Sequence, residues 1–510
     1  MAVNSTTTAT ETEIKYEAAA GVTLPSFTDL PQVARAEMTA QEQLDADYFD
    51  TEDLRLISAG ITLRRRQGGH DAGWHLKLPV GKHTRREIRL PLGRSKHRVP
   101  EQLARLVRVH TRGKELKPVA RISTARSRQL LLDSDGGQLA EVASDDVTAR
   151  ALGPEERVSR WNEVEVELTG GGKDVLDAAD RLLQSGGLSR SGQSAKLARA
   201  LDLPPPARPR TQQVKADGPA GEVLLSYLQA QVSAIKAYDP MVRGDEPDAV
   251  HQMRVATRRL RSTLQTFGGF FSEQEADRLI ADLRWLGGEL GAARDAEVLG
   301  AHVAASLSEL PAEQIVGPVP ERVRGHFANV GASAQAGVLE VLDSPRYFAL
   351  LDDLDALVAR PLPAGQATRP ASKVLPPAVL RTYKRTKRRM KHGLSLPPGE
   401  PGDVALHEAR KAAKRARYAG EAVASAFGAP ASRFSKQMKK LQSVLGGHQD
   451  VVIAREQVRE IGMNADQAGE SAFTYGILFE REDHEARRLR LQARQVWRSA
   501  SRPRVRGWLG

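Results

Sequence analysis

The chain has 510 residues, 40% of them hydrophobic and 27% charged, which is ordinary for a globular protein and too long for one hydrophobic core, so two or three domains are expected. An excess of 75 Lys and Arg over 63 Asp and Glu gives a net charge of +12 and a pI near 9.8. That balance favours polyanionic partners without choosing among nucleic acid, polyphosphate, phosphorylated metabolites and an anionic membrane surface. The lack of cysteine excludes disulfides, thiol nucleophiles and Cys-ligated zinc, and fits a reducing compartment.

The Thr-rich start, Met1 to Thr10, has neither a basic n-region nor an apolar h-region, so no signal peptide is expected there. No run reaches the roughly 18 apolar residues of a membrane helix, and the expectation is a cytoplasmic protein without membrane contact. Glu11-Thr12-Glu13-Ile14-Lys15 follows. As a strand it puts residues 11, 13 and 15 on one face, and three charges there suit a polar cavity holding a metal and a polyanion.

Further alternating segments at 44–49, 61–67, 73–79, 85–91, 119–134, 138–147 and 161–168 bring the count to about eight strands, an antiparallel sheet closed into a barrel. Helical patterns intervene at 99–109, 173–184 and 194–201. Strand parity places Arg64 and Arg66 together, and Lys77 with His75 opposite Trp74 and Leu76. In 85–91, Arg85, Glu87 and Arg89 share a face unless a bulge shifts it, which leaves the choice between Arg86 and Arg89 open. Trp161-Asn162-Glu163-Val164-Glu165-Val166-Glu167-Leu168 closes this part with a second acidic face. Charges at mid-strand in five or six strands point to a barrel with a polar interior.

Leu203-Pro204-Pro205-Pro206-Ala207-Arg208-Pro209-Arg210 reads as a stiff linker. We expect domains at 1–203 and 219–505 with a linker at 204–218. Beyond it the period is helical, at 219–238, 246–268, 273–290, 293–308 and 318–341, then, after Pro/Gly-rich breaks at 361–377 and 396–402, at 376–392, 403–426, 429–445, 448–460 and 464–500. His251-Gln252-Met253-Arg254 with Arg258 and Arg261 recurs 156 residues on as His407-Glu408-Ala409-Arg410 with Lys414 and Arg417. Leu290-Gly291-Ala292-Ala293-Arg294-Asp295 likewise recurs as Leu445-Gly446-Gly447-His448-Gln449-Asp450. Two related helical halves about a pseudo-twofold axis follow.

On a helix each His-Arg set forms one stripe, and like charges at this spacing repel by a few tenths of a kcal/mol per pair unless an anion neutralises them. Arg381 to Lys391, with Lys384 and Arg388, is denser still. Aromatics are 5% of the chain and do not interleave with the basic runs, so stacking platforms for single strands are missing and nucleic acid is not the expected partner. Phosphate oxygens suit such helices.

Glu11, Glu13 and Lys15 match in full the ExExK motif of the CYTH superfamily of triphosphate tunnel metalloenzymes. Residues 60–66, 73–79, 86–87, 118–126, 141–146 and 163–167 resemble its later blocks in order. The helical part resembles the CHAD domain, a conserved-histidine α-helical domain associated with inorganic polyphosphate, with Lys414 where an Arg is usual. The resemblance implies a multidomain α+β chain, an eight-stranded antiparallel tunnel followed by an all-α bundle of two related halves. It implies Glu11, Glu13, Asp145, Glu163 and Glu165 as ligands of Mg²⁺ or Mn²⁺. Lys15, Arg64, Arg66, Lys77, Arg86, Arg121 and Lys196 would be phosphate contacts, and Glu13 and Lys15 the catalytic pair. Lys15 would tune or deprotonate a water if neighbouring cations lowered its pKa. His251, Arg254, Arg258, Arg261, Lys384, Arg388, His407, Arg410, Lys414 and Arg417 are the expected polyphosphate contacts. The implied activity is metal-dependent hydrolysis of inorganic triphosphate to diphosphate and phosphate by a cytoplasmic enzyme, tethered to polyphosphate or its granules. The alternatives are a non-catalytic polyphosphate scaffold and an enzyme of nucleoside or thiamine triphosphates. Oligomeric state is left open.

Overall fold

The computed structural model describes residues 7–81, 83–93, 95–153, 156–193, 195–204 and 215–510, with backbone only at 292–294, 296, 297, 334 and 335. The chain divides into two compact units, Met1–Arg210 and Thr211–Gly510. Most of the expected linker, residues 205–214, lies outside the described residues.

The first unit is built on ten strands: β1 (Thr7–Ala18), β2 (Arg35–Met38), β3 (Glu42–Asp50), β4 (Thr62–Gln67), β5 (Gly73–Pro79), β6 (Thr84–Leu90), β7 (Lys117–Leu132), β8 (Gln138–Ala151), β9 (Arg157–Leu168) and β10 (Ser189–Arg190). Eight of them close an antiparallel barrel in the order β1-β6-β5-β4-β3-β7-β8-β9, and β9 pairs back onto β1. The short β2 and β10 hang on β7 and β1. Neither was expected, because four and two residues carry no readable alternation.

Alternation turns one set of side chains out and the other in. Outward Ile14, Tyr16, Val142, Val164 and Val166 pack under helix α1 (Lys173–Ser185) through Val175, Leu176, Ala179 and Leu183. Fully burying each large side chain stabilises by about 1.5–3 kcal/mol. Tyr16 donates to Asp180 at 2.8 Å, pinning that helix. Outward Leu63, Trp74, Leu76, Ile88 and Leu90 form a second core with Val99, Leu103 and Val107.

One stretch of the inner face is apolar instead. Ala46, Tyr48, Ala120, Ile122, Val147, Ala149 and Trp161 pack with Ala195, Leu197, Ala198 and Ala200, and the last three belong to the short helix α2 (Lys196–Ala200). This cluster forms an apolar plug against the inner face of β3, β7, β8 and β9.

The second unit is helical: α3 (Ala220–Arg243), α4 (Ala249–Thr266), α5 (Glu273–Ser308), α6 (Val319–Leu342), α7 (Pro345–Ala359), α8 (Ala371–Ser395), α9 (Glu400–Ala422), α10 (Ala429–Gln467) and α11 (Phe473–Ala500). Equivalent helices meet, α3 with α8, α4 with α9 and α5 with α10. The starts of α3 and α8 exchange backbone hydrogen bonds: Ala220 N–H to Arg369 O at 2.9 Å, and Ala371 N–H to Gly218 O at 2.8 Å, about the Pro219–Pro370 bridge. That reciprocity is what an internal twofold produces.

Three helical expectations are corrected. Segments 273–290 and 293–308 form one helix, as do 429–445 and 448–460. The stretch 361–377 is not wholly a break, since α8 begins at Ala371 and carries Pro376 and Pro377 inside it. Helix α7, unforeseen, starts at Pro345 with the Ser344 side chain accepting from Tyr347 N–H. No helix among the described residues is long and apolar enough to cross a membrane.

Candidate functional site

Inside the barrel lies a cavity of about 390 Å³ in whose lining charged side chains predominate. β1 contributes Glu11, Glu13 and Lys15, as its two-residue period requires. β4 brings Arg64 and Arg66, β5 Lys77, β6 Arg85 and Arg89, β7 Arg126 and Arg128, β8 Glu141, and β9 Glu165 and Glu167. Lys196 enters from the plug.

The register assembles acid and base row by row. Lys15 faces Glu165 and Glu13 faces Glu167 across β1 and β9, while Asp145 faces Glu163 across β8 and β9. Asp145, Glu163 and Glu165, all buried, offer oxygens within 4.8 Å of one another. A hard divalent cation favours this all-carboxylate donor set. The Lys196 ammonium stands among them, 2.9 Å from Asp145, 2.6 Å from Glu163 and 2.7 Å from Glu165. Arg126 adds bonds of 2.6–2.7 Å to Asp145 and one of 2.7 Å to Glu165, and Trp161 Nε1 donates to Glu163 at 2.6 Å. Burial alone would push the Asp145 and Glu165 carboxyls up. Lys196 and Arg126 at the first, and Lys15, Lys196 and Arg126 at the second, hold both below the ordinary carboxylate range, so both are ionised.

Glu11 and Glu13 stand outside that trio and have their own cations. Lys77 sits 2.5 Å and Arg89 3.4 Å from Glu11. Arg85 is 3.0 Å and Lys15 3.3 Å from Glu13. Lys15 also bonds Glu165. Burial works to lower the Lys15 pKa, but Glu13 and Glu165 outweigh it and raise it. The neighbouring Lys196 ammonium also works to lower it but is outweighed, so the expectation of a lysine base is corrected: Lys15 is a cation held by carboxylates.

Two expected phosphate contacts are also corrected. Arg86 pairs in register with Leu78, whose side chain lies in the outer core, and it belongs to the face opposite Arg85, Glu87 and Arg89. Arg121 is largely exposed and bonds Asp47 outside the barrel at 2.7 Å. The inward residues of β7 are even-numbered: Ile122, Thr124, Arg126 and Arg128. Parity could have found Arg85, Arg89, Arg126 and Arg128. Glu167 was likewise in view within the closing acidic run. Burial, with Glu11 alongside, pushes its carboxyl up to about 7.

The cationic wall is incompletely satisfied. Arg64 has Tyr48 as a partner at 3.3 Å and Arg66 has Asp71, yet both keep a buried Nε without a hydrogen-bond partner. Buried donors are ordinarily paired, so this wall is prepared for an acceptor.

The helical unit holds a second cationic cluster where α4 meets α9. Arg254 and Arg258 come from α4, Arg410 and Lys414 from α9. Arg254 bonds Asp295 at 2.7 and 3.2 Å, and Arg410 lies 3.7 Å from Asp450. The Nε atoms of Arg254, Arg258 and Arg410 are buried without partners. His251 and His407 are half-buried one turn before Arg254 and Arg410. Arg261 is half-buried, and burial together with Arg284 lowers its pKa. Lys384 and Arg388 are exposed on α8. Arg417 is tied to Glu421 at 2.6 Å and to Gln442 at 3.2 Å, which sets it to holding the fold.

A CYTH-domain family model matches residues 9–199 and a CHAD-domain model residues 226–459. An uncharacterised Mycobacterium tuberculosis protein (strain CDC 1551 / Oshkosh) is 39% identical over 498 residues, covering 94% of each chain. Among solved structures, PptA from Streptomyces chartreusis aligns at 22% identity and TM-score 0.48, over 55% of this chain and 99% of its own. The CHAD domain from the plant Ricinus communis aligns at 25% identity and TM-score 0.41, over 59% of this chain and 96% of its own.

Proposed function

This chain belongs to the CYTH family through residues 9–199 and to the CHAD family through residues 226–459, and from that premise we propose that the tunnel hydrolyses a triphosphate while the helical unit binds inorganic polyphosphate. The observation that carries the first half is the pair of buried, unpartnered Nε donors on Arg64 and Arg66, set in a barrel that also holds a cluster of buried carboxylates. A phosphate chain along that wall accepts hydrogen bonds from Arg64, Arg66 and Arg126. Lys15, Lys77 and Lys196 add charge, exchanging part of their present carboxylate partners for phosphate oxygens. Asp145, Glu163 and Glu165 would hold Mg²⁺ or Mn²⁺, with Glu11 and Glu13 further along the tunnel. A divalent ion there supplies Lewis acidity and a water of lowered pKa.

The barrel's residues do the rest by position and charge. In the reaction a water oxygen bonds to the terminal phosphorus, the bridging P–O bond breaks, diphosphate leaves and a proton is released. The inward cations stabilise charge that builds on the leaving oxygens. Inorganic tripolyphosphate is the substrate that needs nothing beyond these groups. The polyphosphate reading rests on the seam of Arg254, Arg258, Arg410 and Lys414, where like charges converge and the Nε donors of the three arginines are left without partners.

The test is phosphate release from tripolyphosphate by purified protein with Mg²⁺ or Mn²⁺ and with EDTA, alongside nucleoside and thiamine triphosphates. Metal-dependent release that Glu13→Ala abolishes, with polyphosphate retention intact, supports the assignment. No release from any of these substrates, with retention intact, leaves a binding scaffold in its place.

A further inference from the structure

Lys414 stands where its relatives by resemblance carry arginine, and its surroundings make that difference consequential. It is half-buried on α9, one turn after Arg410 and within electrostatic reach of Arg254 and Arg258 from α4. The anions facing the cluster are Asp450 on α10 and, bonded to Arg254, Asp295 on α5. His302, also on α5, lies behind Asp450 and acts on it electrostatically. The four cations therefore outnumber the two acids. An arginine in this position stays charged at any physiological pH, whereas a lysine can discharge by releasing a proton.

We propose that polyanion binding at this seam is coupled to protonation of Lys414, so that the helical unit takes up a proton as it closes on its ligand. The proposal rests on the polyphosphate reading of the same cluster. Without ligand, burial first, then Arg410, Arg258 and Arg254, push the Lys414 ammonium down to about 7, against the weaker opposing pull of Asp450. A row of phosphate charges reverses the balance and restores the ammonium. The linkage has a definite sign. Below pH 7 Lys414 is already charged and contributes no further pH dependence. Above pH 7 each complex takes up a proton, and affinity falls by up to tenfold per unit of pH. Binding is then tightest in a mildly acidic medium.

The test uses the full chain in EDTA, so that no chain is cut, with long-chain inorganic polyphosphate, whose interior groups do not titrate near neutrality. Binding is measured from pH 6 to 9 at fixed ionic strength, and calorimetry in two buffers of different ionisation enthalpy counts protons. The expected result is binding roughly ten- to thirtyfold weaker at pH 8.5 than at pH 7, and uptake approaching one proton per bound protein at pH 8. Lys414→Arg should bind across the whole range without that uptake. Wild-type binding equally tight at pH 7 and 8.5, or a weakening above pH 7 that persists undiminished in Lys414→Arg, overturns the proposal. Failure of the wild type to bind at pH 6 overturns the polyphosphate reading and the proposal together.

Discussion

The Arg254 guanidinium lies flat against Gly291 on the neighbouring helix, with Nη1 3.4 Å from the Gly291 carbonyl, and a Cβ at that glycine would come within 3.0 Å of Nη2. The equivalent pair, Arg410 and Gly446, leaves slightly more room at 3.5 Å. Both glycines sit inside long unbroken helices. They are clearances for an arginine, not interruptions.

Gly446→Ala should therefore be accepted and raise helix stability by about 0.5–1 kcal/mol, the usual gain over glycine in a helix interior. Gly291→Val should instead push Arg254 off its seat and weaken polyphosphate retention by about tenfold, the loss of one charge-assisted contact. Chemical denaturation and a retention assay on the two variants check both statements.

The parity of the tunnel strands separates two sets of arginines. Arg85→Ala, Arg89→Ala and Arg126→Ala should each lower kcat/KM for tripolyphosphate by about 10- to 100-fold. Arg86→Ala and Arg121→Ala should leave it within about twofold. Steady-state kinetics on the five proteins decide the matter, and a large loss in either of the last two would reverse the assignment of faces.

Lys196 neutralises three carboxylates that are otherwise too close together. Lys196→Met should cost about 3–5 kcal/mol in EDTA, the usual penalty for leaving buried charge without its partner. Millimolar Mg²⁺ should then recover more stability in the variant than in the wild type. Thermal denaturation with and without the ion provides the comparison.

His302 and Ser306 on α5 both bond Glu482 on α11, at 2.8 and 2.7 Å. The bond to Glu482 raises the His302 pKa above its ordinary 6.5, against partial desolvation. A raised folded-state pKa contributes stability that is complete below 6.5 and is lost as pH climbs through the raised value. His302→Gln should thus lower the melting temperature more at pH 5.5 than at pH 9. An equal loss at both pH values would show that His302 acts by packing alone.

Strand alternation made the inner face of β1 and the pairing of Arg64 with Arg66 legible in the sequence, because a two-residue period needs no tertiary information. Arg121 and Arg86 were misplaced where motif spacing was preferred over that same period. The helix ends expected at 290 and 445, just before Gly291 and Gly446, failed for a different reason. A glycine that breaks a helix and one that admits a neighbouring side chain look alike until the neighbour is in place. The separation of Glu11 and Glu13 from the Asp145 trio depends on barrel register, which links residues more than a hundred positions apart. The repeat, by contrast, announced both halves of the helical unit through His251 and His407.

The apolar cluster of Leu197, Ala198, Trp161 and Ile122 occupies one end of the barrel against β3, β7, β8 and β9, whereas Thr39, His70 and Thr169 line the cavity toward its exposed side. The two ends are therefore chemically unlike. On the proposed function a phosphate chain would be admitted from the exposed side and meet apolar carbon with its terminus, so the protein should prefer chain ends to chain interiors, and release of the leaving fragment would share control of turnover with the chemical step.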